Sequence, residues 1–320
     1  MKSKLILGCC ALAAANLALA QNYPTRPVRM IVPFPPGGGN DILARAVGNR
    51  FTEVIGQQVV VDNRGGAGGL IGAQTAATAA PDGYTLFLGS VGNLAQIPSL
   101  RRDLPYHPLR DFAPVSLLAT SAFVLAVHPG VAAKNVKELI ALAKAKPGEL
   151  NYASAGPGSS LHMAAELFKY ATATDIVHVP YKGANAALTD LMTGRVQMIF
   201  STMPPVLPHV KSGKLRGLAV TTAKRAAAAP DLPTVAESGV ANFEVSNWQG
   251  VMVPIKTPKP LVQKLNSDFQ KTLKLPGMTD TLAAQGLEPA GGTPEAFGAL
   301  IKREIAKYTE VVKAAKIQVD

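Results

Sequence analysis

The sequence is short of the residues that most chemistry needs. Its only two cysteines, Cys9 and Cys10, stand side by side near the start. There Lys2 and Lys4 precede an apolar run, and Ala18-Leu19-Ala20 precedes Gln21. Charge, apolar stretch and small residues in that order form the pattern of a secretory leader, residues 1–20, with cleavage expected near Ala20 and Gln21 and export to the periplasm. Its removal leaves a chain without a thiol, which excludes a disulfide framework and a thiolate metal site. The leader's apolar run is shorter than the roughly 20 residues a membrane-crossing helix needs, and no later run exceeds it. A lipoprotein box at Ile6-Leu7-Gly8-Cys9 fits poorly, because cutting there leaves almost no apolar segment for the export machinery to read.

Other absences narrow the function. No glycine-lysine-serine or glycine-lysine-threonine sequence occurs, so a phosphate-cradling loop of the ATPase kind is missing. No G-x-S-x-G elbow occurs either. The five histidines, His107, His128, His162, His178 and His209, lack metal-ligand spacing. Aromatic residues make up 6% of the chain and the basic residues are scattered, which argues against nucleic acid as a partner. What remains is a cationic protein, +11 overall and two charges less once Lys2 and Lys4 leave, whose field steers anions toward it. At 320 residues and 48% hydrophobic composition it can bury a large core, normally divided between two domains.

The organisation lies in a repeated order of strand, glycine loop and helix. Residues 28–34 read as a strand, Pro35-Pro36-Gly37-Gly38-Gly39 as a loop, and Asn40-Asp41 as the start of a helix whose Leu43, Val47, Phe51 and Ile55 recur at helical spacing. A second unit follows: a strand at 59–61, a loop at 63–69, a helix at 70–80 and a strand at 84–88. The grammar returns at 150–154, with a glycine loop at 155–160, a helix at 161–172, a strand at 176–180, the turn Tyr181-Lys182-Gly183, a helix at 184–192 and a strand at 196–200. A proline-rich break is expected at 203–208, strands at 215–220 and 250–254, and helices within 260–275, 278–285 and 294–315. Alternation of this kind predicts an α/β protein with parallel-dominated sheets flanked by helices. Extended apolar segments near 119–123 and 220–223 are candidate crossovers, which would make residues 21–121 and 223–320 one discontinuous lobe and 122–222 the other. Two passes between lobes form a hinge.

In a parallel α/β sheet the loops after the strands gather at one edge, where ligands bind. Each loop here leads into a helix whose first N–H groups lack partners and carry partial positive charge. Glycine lets an anion approach them. The loops 35–41, 65–69 and 154–160 fit that description, with Ser154, Ser159 and Ser160 adding hydroxyls. A nucleotide site is the first rival, since Gly66-Ala67-Gly68 and Gly72 loosely resemble a dinucleotide fingerprint. The acidic residue that should close the next strand is missing from Leu86-Phe87-Leu88-Gly89-Ser90. Hydrolysis by Ser159 or Ser160 with His162 is the second rival, and no acidic partner can be aligned with it from sequence. Tyr181 is a candidate lid over a ligand, with the Gly183 N–H as donor. Trp248, the one tryptophan, reads as core or cleft wall.

The loops Val32-Pro33-Phe34-Pro35-Pro36-Gly37-Gly38-Gly39-Asn40-Asp41, Asn63-Arg64-Gly65-Gly66-Ala67-Gly68-Gly69, Pro81-Asp82-Gly83-Tyr84 and Val179-Pro180-Tyr181-Lys182-Gly183 resemble those of the Bordetella uptake gene family, the extracytoplasmic receptors of tripartite tricarboxylate transporters. The likeness continues through Leu232-Pro233-Thr234-Val235 and Gln285-Gly286-Leu287-Glu288-Pro289 and so spans the chain after the leader. It implies a two-lobed periplasmic-binding-protein fold of the type II, Venus flytrap kind. A small carboxylate would lie between the lobes and pass to a two-subunit membrane transporter, with the receptor a monomer, no enzyme, and in need of no cofactor or metal. Carried over by position, the ligand would meet Phe34, Pro35, Gly37, Gly38, Gly39, Asn40 and Asp41 of the first loop and Ser154, Ala155, Gly156, Gly158, Ser159 and Ser160 of a later one. Ser90, Asn93, Tyr181, Lys182 and Gly183 would join them. Many relatives carry aspartate after the phenylalanine that ends a later strand, where this chain has Phe200-Ser201. Serine cannot pair with an ammonium as aspartate can, so Ser201 points to a carboxylate without an amino group. A receptor that feeds a sensor instead of a transporter would share all these features.

Overall fold

The computed structural model describes residues 23–101, 103–315 and 317. The expected leader, with Cys9 and Cys10, lies outside them. The first two units fold as the hydrophobic period requires. Strand β1 (Val28–Val32) leads through the proline and glycine loop into helix α1 (Gly39–Ile55), and β2 (Val59–Asn63) pairs parallel to β1. Leu43, Val47 and Phe51 of α1 are fully buried. Gly56 ends the helix in the left-handed region, at φ 70°. A second crossover, through α2 (Leu70–Ala77), brings β3 (Thr85–Ser90) parallel to β1 on its other side. After β3 the chain makes one wide turn of π type at Gly92–Gln96, wholly buried, and a short helix α3 (Ile97–Leu100).

Strand β4 (Phe112–Val127) joins the two halves of the molecule. Its first part, through Ala122, pairs antiparallel with β9 (Ser246–Pro254), which in turn borders β3. From Phe123 onward it pairs with β7 (Met198–Thr202) and with β8 (Arg216–Val220) on its other side. Between these come α4 (Val136–Ala145), β5 (Asn151–Ser154), α5 (Ser160–Thr172), β6 (Val177–Pro180) and α6 (Ala184–Met192). Strand β5 lies parallel between β6 and β7. The path across the sheet is therefore β2-β1-β3-β9-β4-β7-β5-β6, with three parallel strands at each end and antiparallel pairing only in the middle. One 16-residue strand is thus shared by both halves. The chain is completed by α8 (Lys259–Leu273), α9 (Met278–Ala283), a two-residue strand β10 (Glu288–Pro289) on β4, and α10 (Pro294–Ala315).

Two particulars differ from the sequence expectations. The proline-rich segment is not a break but helix α7 (Met203–Lys211). Pro204 and Pro205 occupy its first turn, where the missing N–H would have had no partner. Only Pro208 falls inside, at the loss of one backbone bond. Helix α4 carries no glycine signal and was not foreseen; Asn135 caps it by accepting the Glu138 N–H at 2.9 Å. The stretch after β8 keeps contact with the second half. The Thr221 hydroxyl receives the Phe123 N–H and donates to the Val245 carbonyl at 2.6 Å. Phe243 packs on Phe168 and Phe200, with ring centroids 6.2 and 6.4 Å apart. The stretch 223–245 thus packs on the second half before β9 begins at Ser246. Two side-by-side passes remain, Ala122–Phe123 and Val245–Ser246.

Candidate functional site

The loops that follow the strands of the two halves face one another. Asn185, at the start of α6, donates to the Pro36 carbonyl at 3.0 Å, so the halves touch. Beneath that contact lies a cavity of about 320 Å³. From the first half it is lined by Phe34, Pro35, Pro36, Gly38, Gly39 and Asn40. From the second come Ala155, Ser159, Ser160 and Leu161, then Lys182 to Ala186, and Thr202. Helices α1 and α6 begin here after Gly38 and Gly183, neither with a side-chain cap. Helix α5 begins here too, its Ser159 hydroxyl accepting only the His162 N–H. Three helix N-termini therefore present free amides to one space. The summed dipoles make it electropositive, and the lining contains no acidic side chain.

Buried polar atoms without partners also gather at this cavity. The Asn40 Nδ2 and Thr202 Oγ1 atoms, both on the lining, are buried with no hydrogen bond. The Asn40 Oδ1 accepts from Gln249 Nε2 at 2.9 Å. Unpaired groups of this kind are rare in folded proteins and mark a place where a ligand or water completes the bonding.

Asp41 is not on the lining. Its carboxylate accepts from the Gly37 N–H at 2.8 Å, from Arg45 at 3.0 Å and from Asn63 Nδ2 at 3.0 Å, and Asn63 also holds the Phe34 carbonyl. Burial raises the Asp41 pKa, but these hydrogen bonds and the Arg45 charge outweigh it and hold the carboxyl below its ordinary range. Asp41 is thus the strut of the loop that bears Phe34 to Gly38. Gly37 sits at φ 80° with its N–H on that strut.

A second cavity of about 670 Å³ adjoins the first across Phe34, Pro35, Ala155 and Lys182. It takes in the loop 65–69 together with Gly156 and Tyr181. The Tyr181 hydroxyl is bound to Asp190 at 2.8 Å and the ring lies off the 320 Å³ cavity, so it does not act as a lid there. Gly158 lines neither; it borders a small pocket beside Ile97. Ser90 and Asn93 are buried behind the first half's loops, the Asn93 side chain accepting the Ser90 N–H at 2.9 Å. Ser201 is fully buried and off the lining, because successive strand residues face opposite ways and Thr202 is the one that reaches the cavity. Sequence reasoning missed Thr202, Leu161, Asn185 and Gln249. The strand alternation could have found the first of these.

Ser154 turns away as well. Its hydroxyl lies 2.7 Å from His178 Nε2, and the His178 ring stacks on His162 at 4.3 Å and on Tyr152 at 4.8 Å. Ser154 is fully buried and lines neither cavity. Burial, aided by the neighbouring His162, pushes the His178 pKa down to about 4. The unfolded chain takes up that proton near the ordinary value and the folded chain only near 4, so stability is full above the ordinary histidine range and declines as pH falls toward 4. Urea unfolding at pH 7.5 and pH 5 is expected to show this loss, and His178→Phe to reduce it. Equal pH slopes for the two proteins would contradict the assignment.

The protein's relatives have the same architecture. Residues 43–317 match the model of the tripartite tricarboxylate transporter family receptor. Protein BugT of Bordetella pertussis is 40% identical over 306 residues, 94% of each chain. Among solved structures, R. palustris Rpa4515 with adipate is 39% identical at a TM-score of 0.90, covering 92% of this chain and 99% of that one. The periplasmic binding protein BugD is 34% identical at 0.89 over the same shares. MatC from Rhodopseudomonas palustris with bound malate is 31% identical at 0.87, covering 91% and 100%. The α/β chain with its two facing halves has the two-lobed fold of periplasmic binding proteins, and it belongs to the tripartite tricarboxylate transporter receptor family.

Proposed function

We propose that this protein captures a small carboxylate without an amino group in the 320 Å³ cavity, by closing two lobes on it, and hands it to a two-subunit membrane transporter. One observation carries the reading. Three uncapped or part-capped helix N-termini, with the orphaned Asn40 and Thr202 side chains, meet at a cavity that holds no acid. An anion finds donors there, while an ammonium finds no counter-charge. The adipate and malate held by the two Rhodopseudomonas palustris proteins belong to the same chemical class. The lobes divide at the two passes, residues 23–122 with 246–317 against 123–245, and the passes are the hinge. Exposed Lys182, at the cavity's rim, adds a formal positive charge on the approach path. The setting is the periplasm, after loss of a leader at residues 1–20, and the protein works as a monomer without catalysis.

The test is a thermal-shift screen of mature protein, unfolded and refolded to strip any bound ligand, against two- to eight-carbon mono- and dicarboxylates, benzoate, and the amino acids of matching length. A carboxylate at a hundred times its Kd is expected to stabilise by about 2.7 kcal/mol, several degrees in Tm. Stabilisation by aspartate or glutamate, with none by their non-amino counterparts, would sink the reading.

A further inference from the structure

Gln249 stands far along the chain from every glycine loop, in the middle of β9, with its Cα opposite Ser90 of β3 on one side and Ala119 of β4 on the other. It is fully buried, and its side chain reaches one group at the cavity, the Asn40 carboxamide. A carboxamide has two ends of opposite character, an oxygen that accepts and a nitrogen that donates. Which end meets a ligand depends on what occupies the other. Here Gln249 Nε2 occupies Asn40 Oδ1 at 2.9 Å, and Asn40 Nδ2 is left buried and unpaired beside the cavity. The sheet holds the Gln249 backbone from both sides, which keeps its carboxamide against that of Asn40.

We propose that Gln249 is a positioning residue that occupies one end of the Asn40 carboxamide, and that the N–H donor left at the other end is one of the groups that select an anionic oxygen in the cavity. The inference rests on the carboxylate reading above. It explains why a buried glutamine is placed against this helix start, where an apolar residue would otherwise fill the space without leaving unpaired atoms. The Gln249 Oε1 atom also lacks a partner, so reversing both amides would keep the bond between them and turn Asn40 Oδ1 to the ligand instead. A ligand that accepts hydrogen bonds favours the arrangement seen.

The experiment is a set of calorimetric titrations with whichever carboxylate of the panel binds the wild-type protein most tightly. Asn40→Ala and Gln249→Met are each expected to weaken binding about tenfold, and the double variant to be no weaker than Asn40→Ala alone, because Gln249 acts only through Asn40. Gln249→Glu offers only acceptors, forces Asn40 Nδ2 toward itself and turns Asn40 Oδ1 to the ligand, so a loss of about a hundredfold is expected. Thermal melts of each variant check folding, and Gln249→Met keeps the question open to test if Gln249→Glu does not fold. Wild-type affinity in Gln249→Met, or losses that multiply in the double variant, would overturn the role. If no carboxylate of the panel binds the wild type, the carboxylate reading fails and this inference with it.

Discussion

Gly39→Val is expected to abolish ligand capture in a protein that still folds. Gly39 is the first residue of α1 and has no positive φ, so a side chain there does not strain the backbone. The obstacle lies in the other lobe. A Cβ on Gly39 would stand 2.5 Å from Thr202 Oγ1, closer than real contacts come, and a tight 3.0 Å from Thr202 Cβ. Thr202 is fixed at the end of β7, so the lobes must part by the difference. With the lobes apart the clash disappears, and the ligand-free protein should melt within about 2 °C of the wild type. Closure around a ligand, by contrast, loses the contact on which it depends, and affinity should fall at least about a hundredfold, or ~2.7 kcal/mol. Gly39→Ala places only the Cβ against Thr202 and should lose less affinity than Gly39→Val, whose methyl groups add to the clash. Calorimetry reads the affinities, and unaltered binding by Gly39→Val would show that the lobes do not close at this point.

Asp41→Ala is expected to damage both stability and binding, which separates a strut from a ligand contact. Removing the carboxylate leaves the part-buried Gly37 N–H without its acceptor, while Asn63 keeps only its bond to the Phe34 carbonyl. Each such orphan costs about 1–3 kcal/mol, less what water recovers. Arg45 is half exposed, so its loss adds little. A drop of about 1–2 kcal/mol in unfolding free energy is expected, with affinity at least about tenfold weaker because the loop from Phe34 to Gly38 loses its brace. Asp41→Asn keeps an acceptor and should lose less of both. The pH dependence has a definite sign. The folded carboxyl is held below its unfolded value, so its contribution is complete above the ordinary carboxylate range and disappears as pH falls through the lower folded value. Urea unfolding of wild type and variant between pH 7 and pH 3 would show their difference shrinking with acid. A variant of full stability and lost affinity would make Asp41 a direct contact after all.

The strand and helix order was readable because it is written in local period. Leu43, Val47 and Phe51 repeat at helical spacing whatever they pack against, and they pack on a helix more than 200 residues away, Phe51 stacking on Phe269 at 3.9 Å. The loops 35–39 and 154–160 likewise declare themselves through glycine. What the sequence concealed is of three kinds. Pro204 and Pro205 resemble a break unless one knows that a helix begins with them, since proline is as acceptable in a first turn as in a loop. Ser201 and Thr202 are adjacent, and only the register of β7 on β4 decides which faces the cavity. Gln249 has no motif at all; its importance comes from a hydrogen bond to a residue 209 positions away. The resemblance to a receptor family supplied the loops as a set but not their division of labour. Phe34, Gly38, Gly39, Asn40, Ser159, Ser160, Lys182 and Gly183 line one cavity, whereas Asp41, Ser90, Asn93 and Ser154 brace the structure behind it.

The most direct measurement is a calorimetric titration of refolded mature protein with the best carboxylate of the panel, beside that ligand's primary amide and its amino-substituted analogue. The account predicts saturable one-site binding of the acid, with the amide and the ammonium-bearing analogue each at least about tenfold weaker and the ligand recovered unchanged. Equal binding of acid and amide, tighter binding of the amino analogue, or conversion of the ligand to a product would contradict it.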